Sequence, residues 1–199
     1  MLDGALRPVK DRYLGPVVAG PVGRLHPTLL STLSLLTAIG AGVAASQQLA
    51  VVAVALWLFS RLADGLDGAV ARDRGTASDL GGFVDIVFDT IGYAAIPLGV
   101  AAGIDSRTGW IVTAVLLATF YVNAVSWTYI AAVLEKRGTA GAVTTVVMPR
   151  GLVEGTETIV FFTLALAVPS IAVWVFAVMA TAVAVTVAER LWWSRSVLR

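Results

Sequence analysis

The chain has 199 residues, of which 58% are hydrophobic and only 14% are charged, and its mean hydropathy is +0.86. Soluble domains average roughly 45–50% apolar and about 25% charged residues, so this composition excludes an ordinary soluble globular domain. The formal net charge of +1 is too small to indicate a nucleic-acid partner, and the absence of cysteine excludes disulfides, thiolate zinc sites and cysteine nucleophiles.

Six stretches are apolar and long enough to cross a membrane, which takes about 20 helical residues for roughly 30 Å of hydrocarbon. They are predicted at residues 28–47, 49–72, 82–104, 109–134, 151–168 and 170–191. Because the connectors are short, the sequence predicts an all-α polytopic membrane protein, a bundle of six transmembrane helices in a single domain over residues 1–199.

Residues 1–27 form a segment before the first span. Apolar residues recur there at helical spacing among charged ones: Leu2, Leu6, Val9 and Tyr13. This pattern predicts a short N-terminal interfacial helix lying on the membrane. An irregular tail is the alternative, because three prolines limit the helix length.

Lysine and arginine are distributed unevenly along the chain. Twelve of the 14 lie near the termini or in the connectors after the second and fourth spans, while Arg107 lies on the other side and Arg61 within the second span. The positive-inside rule therefore predicts that both termini and these two connectors face the cytoplasm. We expect an integral protein of the inner or plasma membrane.

Four aspartates occur where the second span ends and the third begins, on the predicted cytoplasmic side. Asp64 and Asp67 share one face of the second helix, and Asp85 and Asp89 share one face of the third. Like charges at bilayer depth are costly unless they are neutralised, so the four carboxylates are expected to converge on cations.

An all-oxygen ligand set suits a hard divalent cation rather than zinc. Four carboxylates exceed what one Mg²⁺ usually takes from protein, which predicts two ions, Mg²⁺ or Mn²⁺. Gly68 and Ala71 keep the same helix face open to a bulky ligand, and Arg72 supplies a guanidinium for phosphate. The alternative is a packing network in which Arg61, Arg72 and Arg74 neutralise the carboxylates.

The residues resemble the signature of the CDP-alcohol phosphatidyltransferases, D-x-x-D-G-x-x-A-R, eight residues, G-x-x-x-D-x-x-x-D. Here the two parts run from Asp64 to Arg72 and from Gly81 to Asp89, and every fixed position matches. The chain departs from many members in having Pro27-Thr28 where they have Pro-Asn. The resemblance implies a six-helix membrane enzyme, commonly a homodimer, with its active site at the cytoplasmic face.

The implied reaction moves a substituted phosphoryl group from a CDP-linked alcohol, usually CDP-diacylglycerol, to the hydroxyl of a small alcohol acceptor and releases CMP. By this resemblance the four aspartates bind the metal ions, with Asp89 also the catalytic general base. The implied substrate-binding residues are Gly68, Ala71 and Arg72. The lone histidine, His26, is expected to be interfacial rather than catalytic.

The acceptor pocket is predicted at the start of the fifth span, where Glu154 and Glu157 share a helix face and Arg150 lies one turn earlier. A polyol or an amine would suit the glutamates, whereas a phosphorylated acceptor would suit Arg150, Lys136 and Arg137. An Arg150–Glu154 pair with helix-terminus electrostatics is an equally supported interpretation. The acceptor therefore stays open.

Two other functions fit part of the pattern. A CDP-aminoalcohol transferase acting on a lipid acceptor would carry the same motif. A divalent-metal transporter would also use intramembrane carboxylates, but these should be distributed along a pathway near the midplane. A scaffold gives no reason to bury four acids.

Overall fold

The computed structural model describes residues 18–137 and 151–198, and the regular structure within these ranges is helical. The six α-helices are α1 Pro27–Ser46, α2 Ala50–Asp73, α3 Asp79–Ile104, α4 Arg107–Lys136, α5 Gly155–Ala167 and α6 Ala172–Val197. Short 3-10 helices, Pro21–Arg24 and Pro169–Ile171, precede α1 and α6. The predicted all-α fold of six helices is confirmed. The predicted interfacial helix falls mainly on residues 1–17, outside the described residues.

Capping side chains decide where α3 and α4 begin. The Ser78 hydroxyl accepts a hydrogen bond from the Gly81 N–H at 3.2 Å, so α3 starts at Asp79, ahead of the predicted residue 82. Ser106 caps α4 in the same way, accepting from the Gly109 N–H at 3.0 Å.

Helix α5 is shorter than its predicted span of 151–168. It begins at Gly155, because Glu154 is the N-cap of a capping box with Glu157. Before it, the Leu152 N–H donates to the Thr186 hydroxyl at 2.9 Å, which ties the preceding segment to α6. Thirteen residues rise only about 20 Å, less than the hydrocarbon thickness of about 30 Å.

The apolar helices and exposed side chains together define a membrane protein. Within the described residues, α1, α3, α4 and the helical segment Pro169–Val197 are long and apolar enough to span a membrane. Large side chains such as Val51, Trp174 and Trp192 are 84%, 74% and 75% exposed. Hydrophobic surface of this extent needs lipid around it. The chain is a polytopic membrane protein.

The helices pack as two groups joined by α5. Helix α1 packs closely against both α2 and α3, while α4 packs against α6, and α5 contacts α2 and α6. Trp57 of α2 and Phe162 of α5 pack at a tilt in the buried core with ring centroids 5.4 Å apart. Helices α2 and α3 approach each other less closely than either approaches α1. A cleft therefore lies between them, with α1 as its floor.

Candidate active site

Three aspartates form a compact carboxylate cluster at the cytoplasmic ends predicted for α2 and α3. Ligand oxygens of Asp64, Asp67 and Asp85 all lie within 4.8 Å of one another. Asp67 is buried, with 6% of its surface exposed, and the other two are half-buried. Asp64 and Asp67 meet there because their three-residue spacing places both on one face of α2. We call these three residues the carboxylate cluster.

Helix α1 fixes the orientation of Asp67, the buried residue of the carboxylate cluster. The Ser31 hydroxyl donates to Oδ2 of Asp67 at 2.6 Å. A short hydrogen bond to an ionised oxygen is among the stronger kinds in proteins. Ser31 thus holds one ligand oxygen of the cluster in place from a helix that carries no part of the motif.

The fourth aspartate, Asp89, lies outside the carboxylate cluster. Its Oδ1 accepts a hydrogen bond from Nη1 of Arg61 at 2.7 Å. The same nitrogen lies 3.8 Å from Oδ2 of Asp64. The sequence predicts that four carboxylates converge, whereas in the structure three lie together and the fourth, Asp89, pairs with Arg61 across the cleft.

A pocket of about 510 Å³ opens beside the carboxylate cluster. Asp67 and Asp85 form part of its wall, and so do all three residues predicted to bind substrate, Gly68, Ala71 and Arg72. Its other polar lining includes His26, Thr28, Ser31, Thr76 and Ser78. The pocket is large enough for part of a drug-sized ligand.

Arg72 is exposed at the pocket wall and forms no ion pair with any described carboxylate. Its side chain runs over Gly68, where an added Cβ would lie 3.1 Å from Nη1. Arg74 points elsewhere and donates to the carbonyl of Gly23. Of the three arginines in the alternative packing network, only Arg61 pairs with an aspartate among the described residues. Arg72 is therefore available to an anionic ligand.

His26 has a structural role at the start of α1. Its Nδ1 accepts a hydrogen bond from the Thr28 N–H at 3.3 Å, which caps the helix just before Pro27. The exposed ring also lines the pocket. The pair Pro27-Thr28, where many members of the resembled family have Pro-Asn, also lies in the wall of this pocket.

Of the predicted acceptor residues, Glu154 and Glu157 lie in the described part of the chain and Arg150 does not. The Glu157 carboxylate accepts from the Glu154 N–H at 3.2 Å, and the Glu154 side chain accepts from the backbone of Glu157. Each glutamate thus contributes one carboxylate hydrogen bond to the capping of the short helix α5. Arg150 lies outside the described residues, so the Arg150–Glu154 pair stays a prediction.

The sequence places Arg61 inside the second span and indicates no role for it beyond charge neutralisation. The available signal was its position three residues before Asp64, on the same helix face, at a depth where ionisable side chains usually serve function.

The donor set of the carboxylate cluster fits a divalent metal ion. It offers three carboxylates and a neighbouring hydroxyl, with no histidine or cysteine, which matches the preference of Mg²⁺ and Mn²⁺ for oxygen. The adjoining pocket leaves room for the water and phosphate ligands that such ions retain.

The fold and the site define a polytopic membrane protein in which a carboxylate cluster able to hold a divalent ion adjoins a pocket of about 510 Å³. The family model for CDP-alcohol phosphatidyltransferase matches residues 24–188. The chain belongs to the CDP-alcohol phosphatidyltransferase family, which confirms the resemblance drawn from the motif.

Among curated proteins, the inner membrane protein YnjF of Escherichia coli (strain K12) is 36% identical over 125 residues. That match covers 59% of this chain and 58% of YnjF, so the chain spans less than two thirds of this relative.

Solved structures of the Mycobacterium tuberculosis phosphatidylinositol phosphate synthase PgsA1 share the fold. The form with CDP-DAG bound aligns with a TM-score of 0.71 and 23% identity, covering 90% of this chain and 92% of that one. The form with manganese and citrate has a TM-score of 0.68 and 24% identity, covering 92% and 86%.

Proposed function

We propose that this protein is a phosphatidyltransferase that moves a phosphatidyl group from CDP-diacylglycerol to the hydroxyl of a small alcohol and releases CMP. The observation that carries the proposal is the carboxylate cluster beside a pocket whose wall contains two of its members, Asp67 and Asp85, together with Arg72. Cations and a guanidinium in one pocket suit a diphosphate. Support also comes from the family and from a structural relative solved with CDP-DAG bound.

We assign the metal centre to Asp64, Asp67 and Asp85, with Mg²⁺ or Mn²⁺ as the ions. A PgsA1 structure holds manganese, which supports this choice. The proposal of two ions rests on the three carboxylates of the cluster, which still exceed the one or two that a single Mg²⁺ usually takes from protein. When bound, such cations supply charge neutralisation at the donor's diphosphate and at the departing CMP.

The protein's own residues would divide the remaining work. Arg72 would bind phosphate oxygens of the donor, and Gly68 and Ala71 would let the nucleotide approach the α2 backbone. Asp89 would accept the proton of the acceptor hydroxyl while the acceptor oxygen bonds to the phosphatidyl phosphorus. The bond from that phosphorus to CMP breaks, and CMP leaves with the electron pair. Asp89 would act through position, since a carboxylate is only a weak base.

A pocket at the helix ends suits an amphiphilic donor, because its acyl chains can stay in hydrocarbon while its headgroup reaches the site. By the distribution of Lys and Arg, we propose that the termini and the site face the cytoplasm. The proposal also includes a single domain and a homodimer, the latter testable by the mass of the purified protein in detergent. Arg150, Glu154 and Glu157 remain the proposed acceptor pocket.

The test is a screen of the purified protein in lipid nanodiscs, following CMP release. CDP-diacylglycerol is offered with glycerol 3-phosphate, serine, inositol or inositol phosphate, each with Mg²⁺ or Mn²⁺. We expect one acceptor to stimulate CMP release far above the rate without acceptor. CDP-choline with diacylglycerol is the parallel arm for the aminoalcohol alternative, and Mn²⁺ uptake into proteoliposomes tests the transporter. CMP release in none of the transferase arms would refute the proposal.

A further inference from the structure

Arg61 is a buried guanidinium in the middle of the bundle. Its side chain is 6% exposed, although it lies on α2 one turn from the carboxylate cluster. Burying an arginine is costly unless the surrounding groups satisfy its charge and donors. The contacts of Arg61 therefore show which groups offset the cost of burying it.

The contacts of Arg61 reach three helices. Nη1 bonds to Asp89 of α3 at 2.7 Å and approaches the Tyr93 hydroxyl at 3.4 Å. Nη2 donates to the hydroxyls of Ser34 on α1 at 3.2 Å and Ser60 on α2 at 3.0 Å.

Two aromatic rings restrict the guanidinium further. Its central carbon lies 4.8 Å from the ring centroid of Trp57 and 5.2 Å from that of Tyr93. Both distances fall within the range of cation–π attraction. The guanidinium is therefore held from several directions, so its position sets the position of the carboxylate that it binds.

A carboxylate at this site can serve either as a metal ligand or as a proton acceptor, and the position of Asp89 bears on which of the two it is. Within the described residues, Asp89 has Arg61 as its hydrogen-bonding partner, through Oδ1, while the other three aspartates form the carboxylate cluster. Divalent cations at the cluster would attract a fourth carboxylate nearby. An Asp89 bound to metal could no longer accept a proton freely.

We propose that Arg61 is a positioning residue of the transfer reaction, one that holds Asp89 apart from the carboxylate cluster and so keeps it available to the acceptor hydroxyl. This inference rests on the proposed function, because it assigns the proton-accepting role to Asp89. Arg61 itself need not touch either substrate.

The experiment compares R61Q, R61K and S34A in nanodiscs by steady-state kinetics of CMP release and by calorimetric titration of Mn²⁺. For R61Q we expect kcat to fall by about 100-fold or more, in line with the loss of a general base. Its KM for CDP-diacylglycerol should stay close to the wild-type value, and its Mn²⁺ affinity should equal or exceed that of the wild type. An intact donor KM also shows that the variant is folded.

The lysine variant and the serine control separate positioning from packing. R61K keeps a charge that can reach Asp89 but lacks the forked geometry, so it should recover part of kcat. S34A removes one hydroxyl partner of Nη2 and leaves the pair with Asp89, so its kcat should stay near that of the wild type.

If the wild-type protein releases CMP, any of three results for the variants would overturn the inference. One is an R61Q variant with nearly full kcat. Another is a fall in kcat accompanied by a higher donor KM and a weaker Mn²⁺ affinity in both Arg61 variants, which would mean that Arg61 only packs the helices. The third is an R61K variant no more active than R61Q. Absence of CMP release from the wild type would instead refute the proposed function, and the Mn²⁺ titration would still report on the cluster.

Discussion

The hydroxyl of Ser31 gives a sharp test of the carboxylate cluster, because it acts on a single ligand oxygen. The change is Ser31→Ala, which removes the donor 2.6 Å from Oδ2 of Asp67 and leaves all four aspartates in place. A hydrogen bond to a charged group contributes about 1.5–3 kcal/mol. Since about 1.4 kcal/mol is a factor of ten in affinity, we expect Mn²⁺ to bind roughly 10- to 100-fold more weakly.

Thr32→Ala is the matched control. It also removes one hydroxyl from the first turns of α1, but Thr32 donates to the carbonyl of Thr28 within its own helix, at 2.8 Å. Its Mn²⁺ affinity should therefore equal that of the wild type. In metal-free buffer Thr32→Ala should unfold at nearly the wild-type temperature, whereas Ser31→Ala should unfold at a lower temperature because its bond to Asp67 also stabilises the fold.

The assay is calorimetric titration of Mn²⁺ into the purified protein, with the Mn²⁺ concentration for half-maximal CMP release as a second readout. Ser31→Ala should weaken the Mn²⁺ affinity and raise the Mn²⁺ concentration needed for half-maximal CMP release. Equal Mn²⁺ affinities for the Ser31 and Thr32 variants would refute the reasoning, because the bond to Asp67 would then have no part in holding the ion.

The other predictions concern the pocket, the base and the ions. Arg72→Ala should weaken donor binding by about 10- to 100-fold, the value of a charged hydrogen bond, with little change in unfolding temperature; an unchanged donor KM would leave Arg72 as a topology anchor. Gly68→Ala should also raise the donor KM, because its Cβ would lie on the helix face left open to the nucleotide and, at 3.1 Å from Nη1 of Arg72, would require that side chain to shift slightly. Asp89→Asn should abolish CMP release while CDP-lipid binding persists, whereas Asp64→Asn should weaken metal and donor binding together; equal loss of donor binding in both would make Asp89 chiefly a metal ligand. Excess EDTA should stop CMP release reversibly, and full turnover in EDTA would contradict a metal centre.

The sequence predicts the helices well because membrane helices have a strong physical signature. Each must satisfy its backbone internally over about 20 apolar residues, so hydropathy alone locates most of them. Helix α5 is the exception, since its start depends on the capping box of Glu154 and Glu157. An apolar run extending to Gly151 does not reveal where the helix itself begins.

The cluster of aspartates could be predicted because it depends mainly on spacing within single helices. The three-residue interval of Asp64 and Asp67 fixes their common face whatever surrounds them. Which aspartate of α3 joins them depends instead on how α2 and α3 are placed relative to each other: Asp85 lies in the cluster, while Asp89, one turn further along α3, pairs with Arg61. Spacing along one helix carries no information about it.

Helix α1 carries no motif residue, yet it positions both halves of the site. Ser31 donates to Asp67 in the carboxylate cluster, and Ser34, one turn further on the same face, accepts from Arg61, which binds Asp89. The two contacts differ in how easily they can be replaced. Nη2 of Arg61 also bonds to Ser60, so that half of the site tolerates the loss of one hydroxyl. Asp67 has no second hydroxyl donor among the described residues, so changes on α1 should affect metal binding before they affect proton transfer.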